Sequence, residues 1–183
     1  MYELDAAITQ AINALAGKSV AIDAIMLWAS AIGVPLLVLA VAAQWWRKPD
    51  RLHIRHALVA TGLSFLLGLF LNQLILLFIQ RMRPYQTGLT HLLIDPSTDF
   101  SFPSDHSTAS FAIASAFLFN GMWRVGLWFL AIAVIISLSR VYIGTHYISD
   151  VLGGALTGFL AACIIKSTYR EGSRIDRLVT GIL

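Results

Sequence analysis

Cysteine is almost absent from this chain: Cys163 is the single one in 183 residues, so no disulfide can form within it and no cysteine-based metal site is available. It lies in an apolar run and reads as a small hydrophobe. Charge is equally scarce, at 13%, against 57% hydrophobic residues and a mean hydropathy of +0.74. A soluble domain carries about a quarter charged residues, so the solvent of this chain is a bilayer. A basic stripe is also missing. The thirteen Lys and Arg fall in short clusters between apolar runs, and the net charge of +3 therefore does not point to nucleic acid. The N-terminal stretch MYELDAAITQAINALAGKSV lacks a basic leader followed by an apolar core, so no cleaved signal peptide is expected. Long linkers, low-complexity tracts and repeats are absent, which favours a single domain over 1–183. So is the period-two alternation that β-barrel spans need.

What remains is a set of long apolar runs. A helix crossing the hydrocarbon needs about 20 mostly apolar residues. Roughly five candidates qualify, at 20–46, 57–80, 105–121, 124–143 and 147–167. Ahead of them Leu4, Ile8, Ile12 and Leu15 recur at helical spacing among Asp5, Thr9, Gln10 and Asn13, the pattern of an amphipathic helix on the membrane surface. The expected fold class is thus all-α: a polytopic membrane helical bundle of about five spans plus an N-terminal interfacial helix. Arg47, Lys48, Arg51 and Arg55, then Arg124, then Lys166, Arg170, Arg174 and Arg177 occupy connections that share one side of such a bundle. By the retention of basic residues that side, with the C-terminus, is cytoplasmic. His53 and His56 belong to the same basic connection and are expected to be solvated.

The opposite side receives three polar clusters: RMRPYQTG after the second span, FPSDHS opening the third, and SRVYIGTHYISD between the last two. Ionisable groups at the edge of the hydrocarbon are costly unless paired, solvated or used. His146 and Asp150 stand four apart and share a helix face, so the carboxylate can orient the ring and stabilise an imidazolium formed when the other nitrogen attacks an electrophile. Arg83 and Arg140 are planar guanidiniums able to clamp an oxyanion. Ser104 and the amides of a helix starting near Asp105 add donors, and His106 is an imidazole able to protonate a leaving oxygen. The implied ligand is phosphate. Each element has a plainer reading: Arg83 as an interfacial anchor, SDHS as a helix N-cap, and His146 with Asp150 as a buried polar pair or half of a metal site. His91, in the outer connection, reads as an ordinary loop residue, with a place at the pocket entrance as the alternative. Gly154 and Gly158 form a small-x3-small pair that lets a second helix approach closely, within the bundle rather than in a dimer.

These residues resemble the type 2 phosphatidic acid phosphatase (PAP2) superfamily over roughly 57–167. Of its three signatures, K-x6-R-P, P-S-G-H and S-R-x5-H-x3-D, the third is complete from Ser139 and Arg140 through His146 to Asp150. The second reads Pro103, Ser104, Asp105, His106, with Asp for Gly; the first keeps Arg83 and Pro84 but has Leu76 in place of lysine. The resemblance implies a phosphohistidine mechanism using neither metal nor cofactor. In it His146 is the nucleophile, Asp150 its support and His106 the acid, and Arg83, Ser104, Asp105 through its amide, and Arg140 hold the phosphoryl oxygens. Arg81 is a candidate to replace the missing lysine.

PSDH without the lysine, in a short chain, looks like the bacterial undecaprenyl pyrophosphate phosphatases of the bacitracin-resistance type. That resemblance implies removal of the terminal phosphate from the carrier lipid at the outer face of the bacterial cytoplasmic membrane, for peptidoglycan recycling. A phosphatidylglycerophosphate or phosphatidate phosphatase, or a lipid phosphotransferase, would use the same residues. A transporter is the reading from another class, disfavoured because no broken helices pair in matching halves. The expected partners are a polyprenyl or glycerophospholipid phosphate and the bilayer, with no obligate protein partner.

Overall fold

A computed structural model describes residues 2–181. The helices run in the order α1 (Tyr2–Asn13), α2 (Val20–Ala42, continued by a 3-10 turn at Ala43–Trp46), α3 (Arg51–Leu76), α4 (Asp105–Phe119), α5 (Trp123–Tyr142), α6 (Ile148–Thr168) and α7 (Arg174–Thr180). No strand occurs among the described residues. In hydrocarbon each backbone group must be paired within its own segment, which is why the apolar runs become helices. Four of them are long and apolar enough to cross a membrane: Val20–Trp46, Arg51–Leu76, Trp123–Tyr142 and Ile148–Thr168.

The run expected at 105–121 differs. α4 has 15 residues, about 22 Å of helix, short of the ~30 Å hydrocarbon thickness. It is also the most enclosed helix, packed against α2, α3, α5 and α6, with Ser107 to Ser110 and Ala112 to Phe117 all buried. Its apolarity therefore serves helix contacts more than lipid contacts. One wall of the core gathers Leu37, Ile54, Leu58, Ile113, Phe117, Phe129 and Ile136, with the Phe117 and Phe129 rings edge to face at 4.8 Å.

The closest approach is between α4 and α6, and glycine permits it. A Cβ at Gly158 would collide with the Thr108 carbonyl and stand 2.8 Å from the Ala112 nitrogen; one at Gly154 would collide with the Ser104 carbonyl. Thr108 Oγ1 donates to the Gly154 carbonyl at 3.0 Å, locking the contact at the depth where α4 begins. The Gly154/Gly158 pair thus works inside the bundle, as its spacing suggested.

Two expectations need correcting. α3 begins at Arg51 rather than 57, and His56 is not solvated: it is 1% exposed, its Nδ1 lies 2.9 Å from Asp176 Oδ1, and its ring stacks on Tyr169 at 4.9 Å. α7, which the hydropathy pattern did not reveal, brings Asp176 there, with Ser173 accepting from the Asp176 amide as N-cap. His53, at the same end, contacts Glu171 Oε1 and the Asn120 carbonyl, each at 2.9 Å.

A helix does form at Tyr2–Asn13, but its inward face is the polar one. Thr9 is 0% and Asn13 5% exposed, whereas Leu4 is 65% and Ile8 40% exposed. The inward stripe is bonded: Thr9 Oγ1 accepts from the Ile148 amide at 3.0 Å, and the Asn13 side chain bonds the His91 backbone at both its amide and carbonyl and donates to the Tyr142 carbonyl at 2.8 Å.

If the α4–α6 contact sets the bundle, Gly158→Ala, forcing a methyl group onto the Thr108 carbonyl, will destabilise by about 1–3 kcal/mol or more. Gly62→Ala, where a Cβ meets nothing within 4 Å, is the control and will not destabilise. Melting temperatures in detergent check both; equal values would contradict the packing argument.

Candidate active site

Helices α3, α4, α5 and α6 present matching ends. The end of α3, the start of α4, the end of α5 and the start of α6 meet on the side away from the His56 cluster, together with the connection 77–104. α5 is stopped by a tight turn in which Gly144 has φ +85°, the left-handed region that glycine alone enters freely. The Arg140 carbonyl then receives the amides of Thr145 and His146, at 3.1 and 3.3 Å, and the Thr145 hydroxyl at 2.8 Å. That closure puts Arg140 and His146 side by side although they belong to different turns.

Arg83, Asp105, His106, Arg140 and His146 line one cavity of about 450 Å³, which Gln73 and Leu76 of α3 complete on one side. The three sequence clusters therefore do meet. Ser104 stands at the wall rather than in the lining; its Oγ is buried with no hydrogen-bond partner, as is Arg140 Nε. Polar atoms buried without partners are rare; Asn72 Oδ1 is another, and the Ser104 and Arg140 atoms belong to residues predicted to grip phosphate. Arg140 Nη1 is fixed by the Ser30 hydroxyl of α2, whose backbone is also the hydrogen-bond partner of His106. α4 starts at Asp105, and its first backbone bond closes from Thr108 to Ser104 at 3.0 Å, so the amides of its opening turn precede the intrahelical ladder.

The protonation of His146 follows from its partners. Nδ1 is 2.8 Å from the Ser101 carbonyl, which can only accept, so Nδ1 carries the proton. Nε2 is 3.2 Å from Arg83 Nη1, which can only donate, so Nε2 keeps its lone pair. Burial pushes the imidazole below the ordinary histidine value; Asp150 opposes this, and the nearby Arg140 and Arg83 add to it. The result is a neutral ring whose unprotonated Nε2 faces the cavity and accepts from Arg83 Nη1.

Asp150 supports that ring less directly than spacing alone implied. Its Oδ2 lies 3.5 Å from His146 Nδ1, farther than the Ser101 carbonyl. The same Oδ2 accepts from the Ser101 hydroxyl and, at 2.8 Å, from the Tyr147 amide, so Asp150 also caps the first turn of α6. Ser101, the first residue of SFPSDHS, thus bonds both members of the pair. Sequence reasoning missed it because a serine outside a signature carries no signal of its own.

Arg81 does not replace the missing lysine. Its Nη1 donates to Asp150 Oδ1 at 2.7 Å and its Nη2 to Asp5 Oδ2 at 2.6 Å, behind Asp150 and away from the cavity lining. Burial works against its charge, but Asp5 and Asp150 outweigh that and hold the guanidinium more firmly protonated than usual. Asp105 is exposed at the cavity, and its Oδ1 accepts from Asn72 Nδ2 at 2.7 Å. Asn72 also donates to Thr108 Oγ1 at 2.9 Å; it is a second residue that the reading missed. His91 is absent from the lining and meets Asn13 through its backbone.

The family model of the PAP2 superfamily matches residues 57–174. The chain belongs to the PAP2 superfamily. It is 31% identical over 155 residues to the undecaprenyl-diphosphatase BcrC of Bacillus subtilis (strain 168), covering 84% of this chain and 78% of that protein. It is 30% identical over 148 residues to a protein of Bacillus licheniformis named bacitracin transport permease protein BcrC, covering 79% and 70%. A crystal structure of a transmembrane PAP2 type phosphatidylglycerolphosphate phosphatase from Bacillus subtilis superposes with a TM-score of 0.71 at 26% identity, covering 94% of this chain and 88% of that one. The PAP2 match takes in all three polar clusters and begins beyond α1 and α2.

The two orphaned donors generate a binding prediction. Titration of the detergent-solubilised protein with orthovanadate, a tetrahedral oxyanion, will show Arg140→Gln weakening binding by about 10- to 100-fold and Ser104→Ala by about 2- to 10-fold, as expected for charged and neutral hydrogen bonds. Affinities equal to wild type in both would remove these residues from the oxyanion site.

Proposed function

We propose that this multi-pass membrane protein is a lipid phosphatase that removes the terminal phosphate of undecaprenyl pyrophosphate, giving undecaprenyl phosphate and inorganic phosphate. The observation that carries the reading is the neutral His146, its Nε2 lone pair held at the cavity beside Arg83 and Arg140, with Asp150 and the Ser101 carbonyl behind Nδ1. In the first step Nε2 bonds to the terminal phosphorus while the bond to the bridging oxygen breaks, and His106 gives that oxygen its proton. The phosphorylated ring is cationic, and Asp150 with the Ser101 carbonyl stabilises its Nδ1–H. In the second step water attacks phosphorus, His106 takes a proton from it, and the P–N bond breaks. Arg83, Arg140, Ser104 and the first amides of α4 stabilise the charge on the transferring group, the main electrostatic task in phosphoryl transfer.

Metal independence belongs to the same reading. Among the described residues no three His, Cys, Asp or Glu side chains gather as a metal site. The undecaprenyl substrate rests on the similarity to the Bacillus subtilis diphosphatase and on the PSDH form with Leu76 at the lysine position. The structural likeness to a phosphatidylglycerolphosphate phosphatase favours phosphatidylglycerophosphate as the second substrate to test. The permease name of one relative raises transport, but here the cavity-lining charged groups gather at one end of the bundle, where chemistry at a headgroup needs them. By the basic residues at the opposite end, the site faces outward from a bacterial cytoplasmic membrane and the C-terminus lies inside.

Phosphate release from undecaprenyl pyrophosphate, phosphatidylglycerophosphate and phosphatidate, measured side by side, will be fastest for the first. His146→Ala will lower kcat by about 10⁴-fold, the scale of losing a nucleophile or its base, and a strong chelator will leave the rate unchanged. His146 must be neutral, so kcat/KM will fall as pH drops through its lowered pKa; His106 must be protonated when the bridging oxygen leaves, so kcat will fall as pH rises through its value in the substrate complex. A flat profile from weakly acidic to neutral pH would contradict the two-histidine mechanism.

A further inference from the structure

Arg81 stands outside the signature residues and outside the cavity lining, yet its guanidinium ties three parts of the chain together. Besides Asp150 Oδ1 and Asp5 Oδ2, Nη1 donates to the Ser149 hydroxyl at 2.6 Å, and the Tyr147 ring lies 3.6 Å from the guanidinium carbon. Asp5 closes the ring of contacts by accepting from the Ser149 amide at 2.9 Å and from its hydroxyl at 2.6 Å. We infer that Arg81 is a positioning residue for the nucleophile, acting on His146 through Asp150, and that Asp5 of α1 locks it there. The inference rests on the phosphohistidine reading above.

Asp150 is 0% exposed. Its Oδ2 has the Ser101 hydroxyl, the Tyr147 amide and, more distantly, His146 Nδ1; the hydrogen bond recorded at its Oδ1 comes from Arg81. A buried carboxylate deprived of its cation is strongly destabilised. Orientation follows as well. With Oδ2 at 3.5 Å from Nδ1, a modest rotation of the carboxylate decides whether it supports the ring once the ring turns cationic, and Arg81 holds the carboxylate plane from the far side. Charge is the second effect. Paired with Arg81, Asp150 pulls less strongly for a proton on His146, which keeps Nε2 available. The charged and titratable groups facing His146 are Arg83 from the 77–104 connection, Arg140 from α5, His106 from α4 and Asp150 from α6; α1 adds Asp5 behind Arg81.

α1 lies outside residues 57–174, so a segment that the family match does not include secures its catalytic pair. The outward Leu4 and Ile8 leave the polar stripe free for this role, and Thr9 and Asn13 extend it to the amide of Ile148 and the loop at His91.

The test measures kcat and KM across pH for the full chain in detergent, with whichever of the three lipids is turned over fastest. Arg81→Gln is expected to lower kcat by about 10- to 100-fold, the usual loss on removing a partner that orients a reacting group, with KM held within about threefold. Removing the cation leaves Asp150 acting undiluted on His146, so the acid limb of kcat/KM will move to higher pH. Arg81→Lys, which keeps the charge, will leave the limb in place and recover part of kcat. Asp5→Asn will lower kcat less, and combining it with Arg81→Gln will add little, since both cut one linkage. Wild-type kcat or an unmoved acid limb in folded Arg81→Gln would overturn the inference, and an additive double mutant would overturn the part of Asp5. Should Arg81→Gln fail to fold, wild-type kcat in both Arg81→Lys and Asp5→Asn would overturn it. An active His146→Ala would instead overturn the reading of the site itself, leaving the two failures distinct.

Discussion

The fully buried carboxylate of Asp150 is the constraint on which the site depends. It joins residues that lie far apart in the chain: Arg81 and Ser101 from the long connection, Tyr147 from the start of α6, and His146 from the turn before it. A charge placed at the lipid boundary without partners would be unstable, so the surrounding backbone is committed to supplying donors. The Ser104 amide donates to the Asp150 carbonyl at 3.1 Å, which also ties the start of α4 to the start of α6. One residue thus caps a helix, aligns two segments and sits behind the His146 ring.

That alignment is possible because α4 and α6 pack with little side-chain volume between them. Gly154 and Gly158 let the Ser104 and Thr108 carbonyls come close, and the opening turn of α4 then lies at the depth of His146. In a bilayer, van der Waals contact and interhelical hydrogen bonds hold helices together, since lipid is as apolar as the side chains. The Thr108 to Gly154 and Asn72 to Thr108 bonds are of this kind. α4 is short and enclosed for the same reason: it is the inner post against which the longer helices lean.

The cavity differs from the family signature in its charge. Leu76 occupies the lysine position and Asp105 the glycine position, so a cation is lost and a carboxylate gained. Asn72 holds that carboxylate and ties it to α4 through Thr108, which answers where the Asp105 side chain goes. At the far end His56, Asp176 and Tyr169 form a buried polar cluster that fastens α7 to α3. The hydropathy pattern concealed it because buried polar pairs look like solvated loop residues in one dimension.

Hydropathy alone determined that the chain is a helical membrane protein, because helices are the form in which long apolar runs satisfy their backbone in lipid. The three polar clusters and their resemblance to the PAP2 signatures grouped His146, His106, Arg83, Arg140 and Asp150, and the fold brings these residues to one end of the bundle. The sequence could not reveal partners without a periodicity or signature of their own: Ser101 at both His146 and Asp150, Ser30 under Arg140, Asn72 under Asp105, or Asp176 beside His56. Nor could it assign Arg81, which by charge and position suited a phosphate pocket as well as a strut. Only the tertiary structure decided that, because a guanidinium goes to whichever carboxylates the fold brings within reach, and here those are Asp5 and Asp150. The same holds for α1, whose polar face turned inward because it found bonding partners there while its leucine and isoleucine side chains face outward.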